Sequence, residues 1–141
     1  MQQQITQDLR ISSLRENINL IGGLIDEICE KHEISEDHYG NILIAMTEAV
    51  TNAIVHGNKE DPAKYVNVSY TTEDDQISFT VVDEGKGFDF SNLPDPTAPE
   101  NIEKPSGRGI FLMKNLADEV EFLEDGRGVK LIFNTLPPDN Q

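Results

Sequence analysis

The segment from Glu48 to Gly57, EAVTNAIVHG, constrains the fold most, because two polar residues interrupt an otherwise apolar helix. Glu48 and Asn52 stand four residues apart, so they share one helical face, one turn above the other. The apolar positions around them are Ile42, Leu43, Ile44, Ala45, Met46, Ala49, Val50, Ala53, Ile54 and Val55. A helix that is hydrophobic on nearly every side is buried. A carboxylate and a carboxamide there need partners. A bound cation with its ligand would satisfy both; the alternative is a polar pair that satisfies itself beside the core.

Length and composition indicate one globular domain over residues 1–136, followed by a polar tail at 137–141. The chain has 141 residues, of which 37% are hydrophobic and 26% are charged, as in soluble globular proteins. No apolar run approaches the roughly 20 residues that span a bilayer. The N-terminus lacks the basic and apolar parts of a signal peptide. With Cys29 as the only cysteine, we expect a cytoplasmic protein.

The formal net charge of −15 argues against binding to nucleic acid or to anionic membranes. The same charge opposes the binding of any polyphosphate. Four basic residues between positions 86 and 114 would offset that repulsion locally: Lys86, Lys104, Arg108 and Lys114. A divalent cation would supply the remaining positive charge.

The N-terminal half predicts one strand and two helices. Ile5–Ser12 is predicted as an edge strand. Residues 13–32 have the apolar period of a helix, with Ser13 as its N-cap. A second helix, capped by Ser35, is predicted to run to about His56.

Two strands with alternating apolar residues follow. The alternating residues are Val66, Val68 and Tyr70 in the first strand and Ile77, Phe79 and Val81 in the second. Continuing the second alternation puts Asp83 on the same face as Phe79 and Val81. If that face meets the helices, Asp83 places a carboxylate at the inner end of a strand, where a ligand would lie against the sheet.

The C-terminal part predicts a long loop, a helix and a hairpin. Residues 85–106 contain four prolines and no sustained period, and a loop of this length is functional or disordered. A helix is predicted from near Gly109, and Val120–Leu123 with Val129–Phe133 is predicted as a hairpin. The element order β-α-α-β-β-loop-α-β-β predicts an α+β fold: a two-layer sandwich whose antiparallel or mixed sheet is covered on one face by helices.

Three segments in fixed order resemble the N box and the two glycine boxes of the GHKL ATPase superfamily, which includes gyrase, histidine kinases and MutL. They are EAVTNAIVHG, DEGKGF and SGRGIFLM. In the residues of these boxes and in its short length, the chain is most similar to the anti-sigma-factor serine/threonine kinases, the RsbW- and SpoIIAB-like branch. The resemblance covers roughly residues 35–133 and implies the GHKL fold, again a two-layer α/β sandwich.

The resemblance assigns roles to the first two boxes. It implies that Asn52 coordinates a Mg²⁺ ion that bridges the phosphates of ATP, and that Glu48 is the general base toward the attacking hydroxyl. Asp83 would accept a hydrogen bond from the adenine amino group, while Gly85 and Gly87 let the backbone approach the base. An ordinary turn at the end of a strand would also explain the Asp-x-Gly-x-Gly pattern.

The second glycine box would hold the phosphates. Gly107 and Gly109 would present backbone N–H groups and a helix N-terminus to them, and Arg108 would add a further contact. Arg108 departs from the methionine or leucine that is often found there in the anti-sigma branch. The loop over residues 88–106 would then be the ATP lid, which nucleotide orders.

The implied function is an ATP- and Mg²⁺-dependent serine/threonine protein kinase that phosphorylates a serine of a STAS-type anti-sigma-factor antagonist and sequesters a sigma factor. A non-catalytic ATP/ADP-binding partner-switch module is the alternative, although such a module has no need of the base Glu48. The catalytic domain of a histidine kinase fits less well, because too few residues precede the second helix to hold a dimerisation helix. A homodimer is a further assembly that the sequence allows.

Overall fold

A five-stranded antiparallel sheet forms one layer of the computed structural model, which describes residues 5–73, 75–85, 105–123 and 127–135. The strands are β1 (Ile5–Ser12), β2 (Tyr65–Thr72), β3 (Gln76–Val82), β4 (Glu119–Leu123) and β5 (Gly128–Asn134). Their order in the sheet is β1-β2-β3-β5-β4, and all four pairings are antiparallel. The predicted edge strand is therefore confirmed as β1.

The helices form the second layer. They are α1 (Asn19–Lys31), α2 (Glu36–Thr51) and α3 (Pro105–Leu116). A 3-10 helix, Arg15–Ile18, precedes α1, and a π-helix, Asn52–Gly57, continues α2 without a break. None of the described helices is long and apolar enough to cross a membrane.

The core lies between the helices and one face of the sheet. Six predicted strand positions are buried, namely Val66, Val68, Tyr70, Ile77, Phe79 and Val81. The register pairs Tyr70 with Phe79 and Phe79 with Leu131, so the apolar side chains form a continuous row across three strands. Phe79 also meets the ring of Phe133 edge to face, with centroids 6.1 Å apart. The predicted α+β two-layer fold is confirmed.

The second helix is less buried than its composition predicts. Ile42, Met46 and Val50 are fully buried, but Ile44 remains 46% exposed. The helix packs against the sheet on one side and against α1 and α3 on others, and this arrangement leaves one strip of its surface open. Periodicity cannot reveal this strip, because it depends on where neighbouring helices lie.

Ser13 is not the N-cap that the sequence predicts. The helical region begins at Arg15, and Ser13 is fully buried. Its N–H and its hydroxyl both donate to the carbonyl of Lys64, at 3.1 Å and 2.9 Å, and its hydroxyl oxygen accepts from Asn58 at 2.8 Å. The Ser13 side chain therefore bonds to residues about fifty positions away and not to the N-terminus of the following helix.

The start of α3 also differs from the prediction. The helix begins at Pro105, four residues before Gly109, and proline suits a first helical position because its missing N–H has no partner to lose there. The predicted lid, residues 88–106, lies outside the described residues except for its last two, which begin α3. The predicted tail, 137–141, also lies outside them.

The two predicted cap serines provide a matched test. Ser13→Ala leaves the buried Asn58 amide and Lys64 carbonyl short of a partner, so we expect it to lower the free energy of unfolding by about 1–3 kcal/mol. Ser35 is exposed and its side chain makes no cap hydrogen bond, so Ser35→Ala should change stability by no more than about 0.5 kcal/mol. Urea denaturation of both variants measures the two free energies of unfolding. Equal decreases in the two variants would contradict the buried, cross-linking role of Ser13.

Candidate functional site

The N-box side chains meet α3 at Gly109, the fifth residue of that helix. Glu48 lies near the end of α2 and Asn52 opens the π-helix, and both are half-buried. A Cβ placed on Gly109 would lie 2.9 Å from Nδ2 of Asn52 and 3.1 Å from Oε2 of Glu48. The two predicted residues therefore share one face, and α3 approaches that face closely because position 109 has no side chain.

Two unpaired polar atoms lie on this helix. Within the described part of the chain, Nδ2 of Asn52 and Nε2 of His56 are the buried side-chain polar atoms that have no hydrogen-bond partner. Burial, with Lys59 and Arg15 as smaller causes, lowers the pKa of His56. An unpaired buried amide costs free energy, and π-helical turns are frequent at functional sites. The Asn52 carboxamide is therefore suited to a ligand.

Asp83 lies against the other end of the π-helix. Its N–H donates to the carbonyl of Arg127 at 2.8 Å, and its Oδ1 accepts from the N–H of Gly85 at 2.7 Å. A Cβ on Gly57 would overlap the Asp83 carboxylate, lying 2.7 Å from Oδ1, and a Cβ on Gly85 would collide with the carbonyl oxygen of Gly57. The first glycine box thus touches the end of the N box.

The Asp83 carboxylate is costly to ionise. Burial raises its pKa, and the N–H of Gly85 and the charges of Arg127 and Lys64 offset only part of that rise. A further donor at this carboxylate, such as an exocyclic amine, would favour its charged form. The environment therefore fits the adenine contact that the sequence predicts.

Asn58 bonds to the residue next to Asp83, a contact that the sequence analysis did not predict. It is fully buried. Its Oδ1 accepts from the N–H of Glu84 at 2.8 Å, and its Nδ2 donates to Ser13 Oγ at 2.8 Å and to the carbonyl of Tyr65 at 3.1 Å. These partners lie 26, 45 and 7 residues away, so no local pattern reveals them.

Of the four basic residues predicted to surround a nucleotide, only Lys114 has a described side chain. Lys114 is exposed and lies over the ring of Phe122, 5.7 Å from its centroid, on the side of α3 that faces β4. The side chains of Lys86, Lys104 and Arg108 lie outside the described part. Among other basic residues of the described part, Arg127 and Lys64 act to lower the pKa of Asp83, and Lys59 and Arg15 contribute to the lowered pKa of His56.

The remaining predicted residues belong to the two glycine boxes. Gly87 lies outside the described residues. The backbone of Gly107 and Arg108 lies in the first turn of α3, where N–H groups have no partner within the helix. The sequence predicts that Gly109 lies at the start of the helix, but it is the fifth residue of α3. In the structure it allows α3 to approach the N box closely.

The described residues do not form a metal cage of their own. Among them, no group of three or more His, Cys, Asp or Glu side chains could hold a metal ion. Asn52 offers a single hard carboxamide oxygen. Mg²⁺ keeps several waters and takes other ligands from substrate phosphates, so one protein ligand is consistent with an ion that arrives with ATP.

Comparison with known proteins identifies the family. The profile of the histidine kinase-like ATPase domain matches residues 11–134. A serine-protein kinase RsbW of Staphylococcus epidermidis is 31% identical over an alignment of 140 residues, and the match covers 92% of this chain and 88% of that protein. A serine-protein kinase RsbW of Bacillus cereus (strain ATCC 10987 / NRS 248) is 27% identical over an alignment of 124 residues, and the match covers 84% of this chain and 77% of that protein.

A solved structure has the same fold. The crystal structure of the RsbU and RsbW domains of Rv1364c from Mycobacterium tuberculosis superposes with a TM-score of 0.62 at 14% sequence identity. The match covers 92% of this chain and 31% of that longer chain. The chain described here therefore belongs to the histidine kinase-like ATPase family, in the branch that includes the RsbW serine-protein kinases.

Proposed function

We propose that this protein is an ATP-dependent serine/threonine protein kinase that acts as an anti-sigma factor. The observation that carries the proposal is the arrangement along one six-residue π-helix. Asn52 at its start, with Glu48 one turn earlier, faces Gly109, and Gly57 at its end contacts Asp83. A molecule with a polar base at one end and phosphates at the other fits this arrangement.

The base would bind at the Asp83 end. The carboxylate would accept a hydrogen bond from the adenine amino group, and Gly85 and Gly87 would allow the backbone to approach the ring. Guanine has a carbonyl at the corresponding position, so it would leave a buried acceptor facing another acceptor. Asp83 therefore selects adenine.

The phosphates would bind at the Asn52 end. Asn52 would hold Mg²⁺ through its carboxamide oxygen, and the first-turn N–H groups of α3 at Gly107 and Arg108 would contact phosphate oxygens. When bound, the ion supplies positive charge that neutralises the polyphosphate. Gly109 lets α3 lie close enough for these contacts.

Glu48 is the proposed general base. Its carboxylate lies beside Asn52 against Gly109, so it is adjacent to the place proposed for the phosphates. It would accept the proton of a serine hydroxyl as that oxygen attacks the γ-phosphate. A module that only binds nucleotide does not need a carboxylate here.

The proposed protein substrate is a STAS-type anti-sigma-factor antagonist, phosphorylated on serine, and the proposed second partner is a sigma factor. The support is the similarity to proteins named serine-protein kinase RsbW. Because a sigma factor acts where transcription takes place, this proposal locates the protein in the cytoplasm.

Asp83→Asn tests base recognition. The amide presents an N–H donor where the adenine amino group also donates, so we expect ATP affinity to fall by about tenfold or more, the scale of one charged hydrogen bond. Calorimetry measures the change. Asp37→Asn removes the same charge from the exposed first turn of α2 and should bind ATP like the native protein. Unchanged affinity in Asp83→Asn would remove this residue from the site.

Glu48→Gln separates a kinase from a binding module. The variant keeps size and hydrogen bonding but removes basicity, so Mg²⁺-ATP binding should be retained while phosphoryl transfer falls by about a hundredfold or more. The assay uses labelled ATP, Mg²⁺ and candidate STAS-type antagonists, followed by location of the phosphoserine. Glu36→Gln, on the exposed first turn of the same helix, is the control and should transfer at the native rate.

Two outcomes would overturn the kinase assignment. One is a native protein that transfers no phosphate to any STAS-type partner, and the other is a Glu48→Gln variant that transfers at the native rate. In either case, a nucleotide-gated partner-switch module would be the better description.

A further inference from the structure

We propose that Asn58 is a positioning residue for base recognition, which makes the site selective for adenine by fixing the turn that carries Asp83. The inference rests on the proposed role of Asp83 as the adenine acceptor. Asn58 itself would not touch the nucleotide; it would act through the backbone N–H of Glu84.

The two halves of the Asn58 amide serve different parts of the molecule. Its Nδ2 donates to Ser13 Oγ and to the Tyr65 carbonyl, which lie just after β1 and at the start of β2. Its Oδ1 accepts from the N–H of Glu84 at 2.8 Å, directly after Asp83. One half therefore joins strands, and the other holds the turn at the end of β3.

The turn that carries Asp83 is held from two sides. On the β5 side, the N–H of Asp83 donates to the carbonyl of Arg127 at 2.8 Å. On the other side, Glu84 is fixed twice: its N–H donates to Asn58, and its carboxylate accepts from the N–H of Tyr65. The Asn58 bond is made to the backbone next to Asp83, so its loss would leave this side of the turn held through the Glu84 carboxylate rather than through the backbone.

The backbone at Asn58 and in the two residues after it is held by hydrogen bonds to the π-helix and has an uncommon conformation. Lys59 and Glu60 both have left-handed φ values, 57° and 58°, which are uncommon for residues with side chains. The N–H of Asn58 donates to the carbonyl of Ala53 at 2.8 Å, and that of Glu60 donates to the carbonyl of Ile54, also at 2.8 Å. Such conformations persist only where the surroundings over-determine them and cluster at functional sites.

A purely structural cross-link is the competing explanation, and the two halves of the amide distinguish it. If Asn58 only stabilises the fold, removing either half should lower stability and leave base selectivity alone. If Asn58 positions Asp83, removing the Oδ1 half should lower selectivity, while weakening the Nδ2 half through Ser13 should not.

The experiment compares binding of ATP and inosine triphosphate by calorimetry, at a temperature where each variant is folded. Inosine has a carbonyl in place of the adenine amino group, so the affinity ratio reports the Asp83 contact. The native protein should prefer ATP. Asn58→Ala removes both halves of the amide. In this variant the preference should fall by about tenfold or more, toward equal binding, because the Asp83 carboxylate is no longer aligned. Ser13→Ala, which keeps the Glu84 bond, should retain the native ratio despite its lower stability.

The outcomes separate this inference from the proposed function. A native protein that binds both nucleotides equally overturns the role of Asp83, and this inference with it. Native selectivity that persists in Asn58→Ala, or that disappears in Ser13→Ala, overturns this inference alone.

If Asn58→Ala does not fold, amide hydrogen exchange of the native protein gives the test. The Glu84 N–H should be protected in the free protein, and ATP should slow its exchange further than inosine triphosphate does. Exchange at the rate of an unstructured peptide, or equal slowing by both nucleotides, would contradict the inference.

Discussion

Close backbone approach at three glycines is the constraint on which the site depends. Gly57 leaves room for the Asp83 carboxylate, Gly85 leaves room for the carbonyl of Gly57, and Gly109 leaves room for Asn52 and Glu48. None of the three has a left-handed φ, so glycine is required there for space rather than for backbone conformation. Three segments that are far apart in the chain therefore meet closely, because at each contact at least one of the two residues has no side chain.

The π-helix gives these contacts a common frame. It continues α2, so the packing of Met46 and Val50 into the core also fixes the orientation of Asn52. Its final residue touches Asp83, and the next residue, Asn58, bonds to Glu84. The helix thus joins the proposed phosphate end of the site to its proposed base end, and the hydrophobic core supports both.

Polar groups inside the fold link stability to function. Ser13 and Asn58 are fully buried, yet the polar side-chain groups of each have hydrogen-bond partners. Asn52 and His56 instead keep a buried nitrogen without a partner among the described residues. A fold in which every buried group were paired would be more stable, so the unpaired Nδ2 donor of Asn52 marks a place where a hydrogen-bond acceptor on a ligand would recover that free energy.

The sequence predicted features that depend on neighbouring residues. Alternation identified β2 and β3, the apolar run identified α2, and three short motifs indicated the family. The failures depend on contacts between distant residues. Ser13 has the sequence context of a helix cap, but Lys64 and Asn58 take its hydrogen bonds. Ile44 is exposed because of where the neighbouring helices pack.

The role of Asn58 could not be predicted for the same reason. Its sequence neighbours indicate only a helix end, whereas its function in the fold comes from Ser13 and Glu84, 45 and 26 residues away. In the same way, the motif residues could be recognised in the sequence, but the contacts that Gly57 and Gly109 make could be seen only in the folded structure. Local pattern therefore predicted which residues belong to the candidate site, but not how they meet.

The most direct test of the account is the ATP affinity of Gly57→Ala, compared with that of Gly40→Ala. A Cβ at Gly57 would overlap the Asp83 carboxylate, whereas a Cβ at Gly40, on α2, would have no atom within 4 Å. We predict that Gly57→Ala weakens ATP binding by about tenfold or more, as expected for a displaced charged acceptor, and that Gly40→Ala binds like the native protein. A folded Gly57→Ala variant with native ATP affinity would contradict the assembly of the site described here.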